Sequence, residues 1–164
     1  MRKQKGFTLV EMLVVIAIIA ILAGAVLLAI NPAATMRKSR DTTRMNDLDS
    51  LRNAINIALT ENEIVLSGTT GDSVNGTQAV DGTGYIEFTI PAGKVGLSRY
   101  IPALPLDPTN TAPYIYSFAS DATEQTFELN AVLEFQDYIT TKMVNDGGNN
   151  NNVYEVGTDL NLIN

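Results

Sequence analysis

Phe7 to Ile30 is an apolar run of 24 residues, broken only by Thr8, Glu11 and Gly24. At about 1.5 Å of rise per residue, a helix of that length crosses the hydrocarbon core of a bilayer. Its apolar residues surround the helix instead of lining one stripe, so no single-sided packing against a soluble core would satisfy it. Three readings compete. One is an uncleaved membrane anchor. A second is a secretory signal, since Arg2, Lys3 and Lys5 precede the run and Ala23-Gly24-Ala25 fits a small-residue cleavage rule, which would start the mature chain at Val26. The third is a helix that makes use of Glu11. Against a secretory signal, the apolar run continues past that cleavage site to Ile30. An ionised acid at the centre of a membrane helix costs roughly 3 kcal/mol, and less near its end. A carboxylate in the first turn therefore calls for a function.

Lys5-Gly6-Phe7-Thr8-Leu9-Val10-Glu11 resembles the prepilin processing motif of type IV pilins and of the pseudopilins of type II secretion. Four features carry the resemblance: a short basic leader, the Gly-Phe junction, an acid at the fifth residue after it, and the long apolar run behind. The resemblance implies that a membrane peptidase cuts between Gly6 and Phe7 and methylates the new Phe7 amine. It also implies assembly through Glu11. That residue lies one helical turn from the amine, where its charge suits the positive end of the helix dipole and an incoming subunit's amine could pair with it. The alternative for Glu11 is an interfacial side chain that reaches the headgroups.

Asn31-Pro32 interrupts the helical pattern, because proline lacks a backbone donor and clashes with the preceding turn. Many pilins break the helix somewhat earlier, where Leu28 and Ala29 stand here. Residues 33–62 read as an amphipathic helix, with Leu48, Leu51, Ile55, Ala58 and Leu59 on one stripe suited to pack under a sheet. Arg37, Lys38, Arg40 and Arg44 form a basic cluster just past the apolar segment. It is expected to meet lipid headgroups and later acidic neighbours in a filament, or to be a solvated helix face.

The pattern then changes. Gly68 to Gly84 reads as a loop, Tyr85 to Ile90 as a strand, and Tyr114 to Phe118 as a second strand. Thr126 to Glu134 reads as a third, with Phe127, Leu129, Ala131 and Leu133 on one face, and Val153 to Val156 as a short addition. The expected class is α+β: a long N-terminal helix, membrane-spanning then amphipathic, packed on a small antiparallel sheet. The expected division is a leader over 1–6, an assembly helix over 7–30, an amphipathic helix over 31–62 and a β-rich headpiece over 63–164. Leu104-Pro105-Leu106-Asp107-Pro108, followed by Tyr114-Ile115-Tyr116, is similar to a segment of major pseudopilins, with Thr109 where a tryptophan is common.

Calcium is the one cofactor to consider. Asn145, Asp146, Asn149 and Asp159 offer hard oxygens in a loop, although the spacing is not that of an EF-hand and Asn/Gly runs are ordinary turns. Asp121 and Glu124 read as a solvated turn. The six tyrosines would either form an adhesive patch or seal the sheet against the helix.

Composition narrows the function. The chain has no Cys and no His, which removes thiolate chemistry, the commonest general base and the commonest zinc ligand, and no paired-acid motif replaces them. Residues 61–164 hold three basic residues (Lys94, Arg99, Lys142) against fourteen acids, a surface that repels nucleic acid. Composition therefore disfavours an enzyme, and the resemblance implies a structural role: a filament subunit with identical or related pilin subunits, prepilin peptidase, the pilus assembly machinery and the lipid bilayer as partners. Its location would be the inner membrane as a single-pass protein, then an extracellular or envelope-spanning filament. The alternatives are a pseudopilin of a secretion or DNA-uptake machine, a membrane-anchored binding domain that never polymerises, and a secreted enzyme.

Overall fold

The structure is a computed structural model that describes residues 6–163, with the backbone alone for 27–30. Arg2, Lys3 and Lys5, the basic leader residues, lie outside the described residues. The chain forms two compact units, Met1–Met36 and Arg37–Asn164.

The first unit holds α1 (Leu9–Ile30) and the opening turns of α2 (Pro32–Thr60). Thr8 caps α1, and Leu9 to Val26 is long and apolar enough to cross a membrane. The interruption expected at Asn31-Pro32 falls on Asn31, which sits in the left-handed region at φ 44° and ψ 76°. Asparagine tolerates that conformation better than most residues. Its side chain then serves the next helix, since Oδ1 accepts the Ala34 N–H at 3.3 Å. Pro32 occupies the first position of α2, where a missing N–H costs nothing.

The second unit is built on the rest of α2. Leu48, Leu51, Ile55 and Ala58 are fully buried and Leu59 packs at the core's margin, so the amphipathic stripe faces inward as its period requires. Opposite lies a four-stranded antiparallel sheet in the order β2 (Thr70–Asp72), β4 (Tyr116–Asp121), β5 (Thr126–Ala131), β6 (Tyr154–Gly157). A separate pair joins β1 (Val65–Leu66) to β3 (Phe88–Thr89). β4 and β5 form a hairpin that sets Phe118 opposite Leu129. Its turn is closed by Asp121, whose Oδ1 accepts the Thr123 and Glu124 N–H groups at 2.6 and 2.8 Å. The architecture is mixed α+β.

Several element readings change. The stretch read as a loop contains β2, an edge strand with no apolar alternation to announce it. Gly71 lets the chain cross there, since a Cβ would lie 2.1 Å from the Tyr85 carbonyl oxygen. Of Tyr85 to Ile90 only Phe88–Thr89 pairs as a strand; Tyr85 and Ile86 are buried in a close-packed loop. The second strand runs Tyr116–Asp121, two residues later at its start, and a short helix α3 (Gln136–Thr141) follows β5 unannounced. Tyr85 and Tyr116 are core residues, their hydroxyls donating to the Pro105 carbonyl at 2.8 Å and to Asp47 Oδ2 at 2.7 Å. Of the three basic residues beyond position 60, Lys94 and Arg99 are both tied to Glu63, at 3.4 and 3.0 Å.

Candidate functional site

Residues 6–8 are irregular backbone leading straight into α1. Gly6 is exposed, and among the described residues a Cβ added to it would meet nothing within 4 Å. Phe7 is 74 % exposed. The fold itself thus has no need of a glycine at 6, and the junction is open to an enzyme. Thr8 and Glu11 form a capping box: Thr8 Oγ1 accepts the Glu11 N–H at 3.2 Å, and Glu11 Oε2 accepts the Thr8 N–H at 2.8 Å and its hydroxyl at 2.7 Å. These bonds satisfy donors that a helix start leaves bare. Among the described residues Glu11 Oε1 accepts no hydrogen bond. Leu9, Val10, Ile16, Ile21 and Leu22 are each more than half exposed, so apolar surface surrounds the helix behind this head.

The basic cluster divides. Arg44 is fully buried, against the expectation of a headgroup-facing or solvated residue. It grips Asp107 with two bonds, Nε to Oδ2 at 2.6 Å and Nη2 to Oδ1 at 2.9 Å. Nη1 donates to Asp41 Oδ1 and to Glu134 Oε1, both at 2.7 Å. The guanidinium also lies 4.9 Å from the Tyr114 ring centre. Arg40 also grips Glu134, its Nε donating to the same Oε1 at 2.7 Å and its Nη2 to Oε2. Lys38 lies over the Phe135 and Tyr138 rings, at 5.7 and 5.9 Å. Burial works against the Arg44 charge, but its bonds to Asp107, Glu134 and Asp41 more than offset this and raise its pKa. The hydrogen bond from Arg40, helped by Arg44, holds the Glu134 carboxyl down to about 2. The cluster turned inward because Asp107 and Glu134, remote in sequence, supply acceptors that neither lipid nor water must provide. Arg37 and Lys38 remain exposed.

Residues 1–27 match the family model for the prokaryotic N-terminal methylation motif. The chain carries the prepilin motif. No curated protein and no solved structure matches it. The motif indicates a type IV pilin-like or pseudopilin protein; it suggests a structural protein and implies processing by prepilin peptidase and assembly with pilin subunits. Together with α1 it is consistent with anchoring of this prepilin-type chain in a membrane.

Of the four residues named as candidate calcium ligands, Asp146 and Asp159 have carboxylate oxygens engaged locally, and Asn145 is tied through its amide nitrogen. Asn145 Nδ2 donates to the Thr141 carbonyl at 3.1 Å. Asp146 accepts the Gly148 N–H at 3.0 Å and the Glu155 N–H at 2.9 Å. Asp159 Oδ1 accepts from the Asn161 backbone and side chain at 3.1 and 3.0 Å, closing its own turn. Asn149 is exposed and lines, with Asn150 to Asn152, an open depression of about 520 Å³. Among the described residues no three His, Cys, Asp or Glu side chains gather as a metal site.

Sequence reasoning passed over Thr8, although Thr-x-x-Glu before an apolar run is a capping signature. It also passed over Glu128, Asn130 and Glu155, which are buried on the sheet. Their signal is alternation: Glu128 and Asn130 stand between the apolar positions of β5, Glu155 precedes Val156 on β6, and backbone N–H groups of the C-terminal segment bond to both glutamates. Burial pushes the Glu155 carboxyl up to about 7.

Proposed function

We propose that the chain is a structural subunit of a type IV pilus-like filament, cut between Gly6 and Phe7, methylated at the Phe7 amine and polymerised through α1. The observation that carries this reading is an exposed Gly-Phe junction followed at once by a capped, apolar helix with a carboxylate at its head. In the inner membrane, lipid covers the apolar flanks of α1. In a filament, the α1 helices of neighbouring subunits cover them instead. Cleavage creates a cation at Phe7, and Glu11 has one oxygen held by Thr8 and another free to receive a neighbour's amine. Such a pair, buried among apolar helices, sets the axial register of one subunit on the next, because removing either partner leaves the other charge uncompensated. The headpiece stays outside the contact.

Glu11→Leu tests the reading. The variant loses the desolvation cost and should insert and mature at normal yield, yet form few fibres. Abundant, well-ordered fibres made wholly of Glu11→Leu subunits would remove the pairing. The similarity of Leu104 to Tyr116 to a pseudopilin segment supports a second reading, a subunit of a short envelope-spanning pseudopilus. Recovery of long fibres from the medium, with Phe7 as their methylated first residue, favours the first.

A further inference from the structure

β5 and β6 pair so that Asn130 lies directly opposite Glu155, and Glu128 stands two residues from Asn130 on the same face. This is the face away from Phe127 and Leu129, which belong to the core under α2. The three side chains are 0 %, 3 % and 1 % exposed for Glu128, Asn130 and Glu155. Glu128 is diagonal to Glu155 across the strand pair, and the two carboxyl charges act on one another.

Each carboxylate is held by one oxygen only. Glu128 Oε2 accepts the Leu162 and Ile163 N–H groups at 2.7 and 2.9 Å. Glu155 Oε2 accepts the Asn150 N–H at 3.0 Å. The Gly148 backbone lies so close over it that a Cβ there would come within 2.0 Å of that oxygen. Among the described residues the remaining oxygens, Glu128 Oε1 and Glu155 Oε1, are buried with no hydrogen-bond partner, and so are both Asn130 amide atoms. No salt bridge among the described residues reaches either glutamate. Asp146, which accepts the Glu155 N–H, adds negative charge and no positive.

Buried polar atoms are rarely left unpaired, and two unpaired carboxylates side by side are rarer still. Here the orphans converge from two adjacent strands. Two carboxylate oxygens and an amide oxygen are hard donors, and their combined charge balances a 2+ ion. A chain without His or Cys offers no soft alternative. We infer that Glu128, Asn130 and Glu155 form a binding site for a hard divalent cation on this face of the sheet. Held there, the ion joins β5 to β6. Through the other oxygens of the same carboxylates it also fastens the 146–152 loop and the C-terminal residues 162 and 163.

The test uses the full chain in detergent micelles at constant pH and ionic strength, with calcium chloride as the probe. Thermal unfolding is followed by near-ultraviolet circular dichroism in EDTA, in calcium and in sodium chloride alone. A saturable rise of the midpoint with calcium is expected, as for any ligand of the native state, together with one bound ion per chain in equilibrium dialysis. Glu155→Gln should abolish the rise, whereas Asp159→Asn should leave it intact. Asn130→Asp, which adds a third carboxylate, should lower the midpoint in EDTA and tighten calcium binding by about tenfold or more, since ligand charge sets affinity in such sites. Equal midpoints in EDTA and calcium overturn the proposal. So does a full response in the Glu128→Gln/Glu155→Gln double variant, which would place the ion elsewhere. A midpoint that follows pH but ignores calcium would also overturn it, giving the pair a shared proton instead. The readout is independent of filament assembly.

Discussion

A guanidinium withdrawn from water is tolerated only where its donors find acceptors, and Arg44 finds them on Asp107, Asp41 and Glu134. Arg44→Met should therefore cost about 3–5 kcal/mol, because it leaves Asp107 buried without its partner. Urea unfolding followed by tyrosine fluorescence checks this, with exposed Arg37→Met as the control, expected to change stability by less than about 0.5 kcal/mol. Glu134 adds a pH dependence of known sign. Its carboxyl is lowered from 4.5 to about 2 in the native chain. The unfolded chain therefore binds the proton first, and the contribution is complete above the unfolded value and disappears as pH falls towards the native one. Arg40→Gln should flatten that acid limb of the stability profile, measured as the urea midpoint between pH 5 and pH 2. At the opposite end of the chain, Gly6→Val should leave uncut precursor in the membrane, detectable by mass spectrometry. Among the described residues nothing within 4 Å opposes a side chain at 6, so a processing defect would belong to the peptidase's cleft and not to this fold.

Helix α2 couples two kinds of information along one element. Its apolar stripe is a matter of period, and the fully buried Leu51 sits in its middle. Leu51→Ala should destabilise by about 2–5 kcal/mol through lost burial and an incompletely collapsed cavity. Ile57→Ala, on the same helix but 46 % exposed, should cost far less in the same urea assay. The join between α1 and α2 depends on backbone conformation instead. Asn31 holds a positive φ while its side chain caps the following helix. Asn31→Gly should keep the break with little change. Asn31→Val should cost roughly 1–2 kcal/mol, the penalty of a left-handed β-branched residue. Amide hydrogen exchange across residues 29–35 in micelles reports the difference, with faster exchange expected for the valine variant only.

Two compact units imply separable behaviour. The core residues from Leu48 to Val156 all lie in Arg37–Asn164, so this segment expressed alone should be soluble and unfold in one cooperative step. Size-exclusion chromatography and urea unfolding check both statements, and a midpoint equal to that of the detergent-held full chain is expected. The sequence by itself determined the membrane-compatible helix, its carboxylate head, the break at Asn31-Pro32 and the buried stripe of α2. These rest on residues within a turn or two of each other, where helical period and proline stereochemistry act without help from the rest of the chain. Only the tertiary structure decided the fates of Arg44 and Glu128. Arg44 reads as one more surface cation until Asp107, 63 residues away, is folded against it. Glu128 occupies the outward position of an alternating strand, and it is buried because the C-terminal segment returns over that face, Leu162 bonding to it from 34 residues on. Charge and alternation are local properties, whereas burial depends on which distant segment arrives, and no local pattern in this chain encodes that.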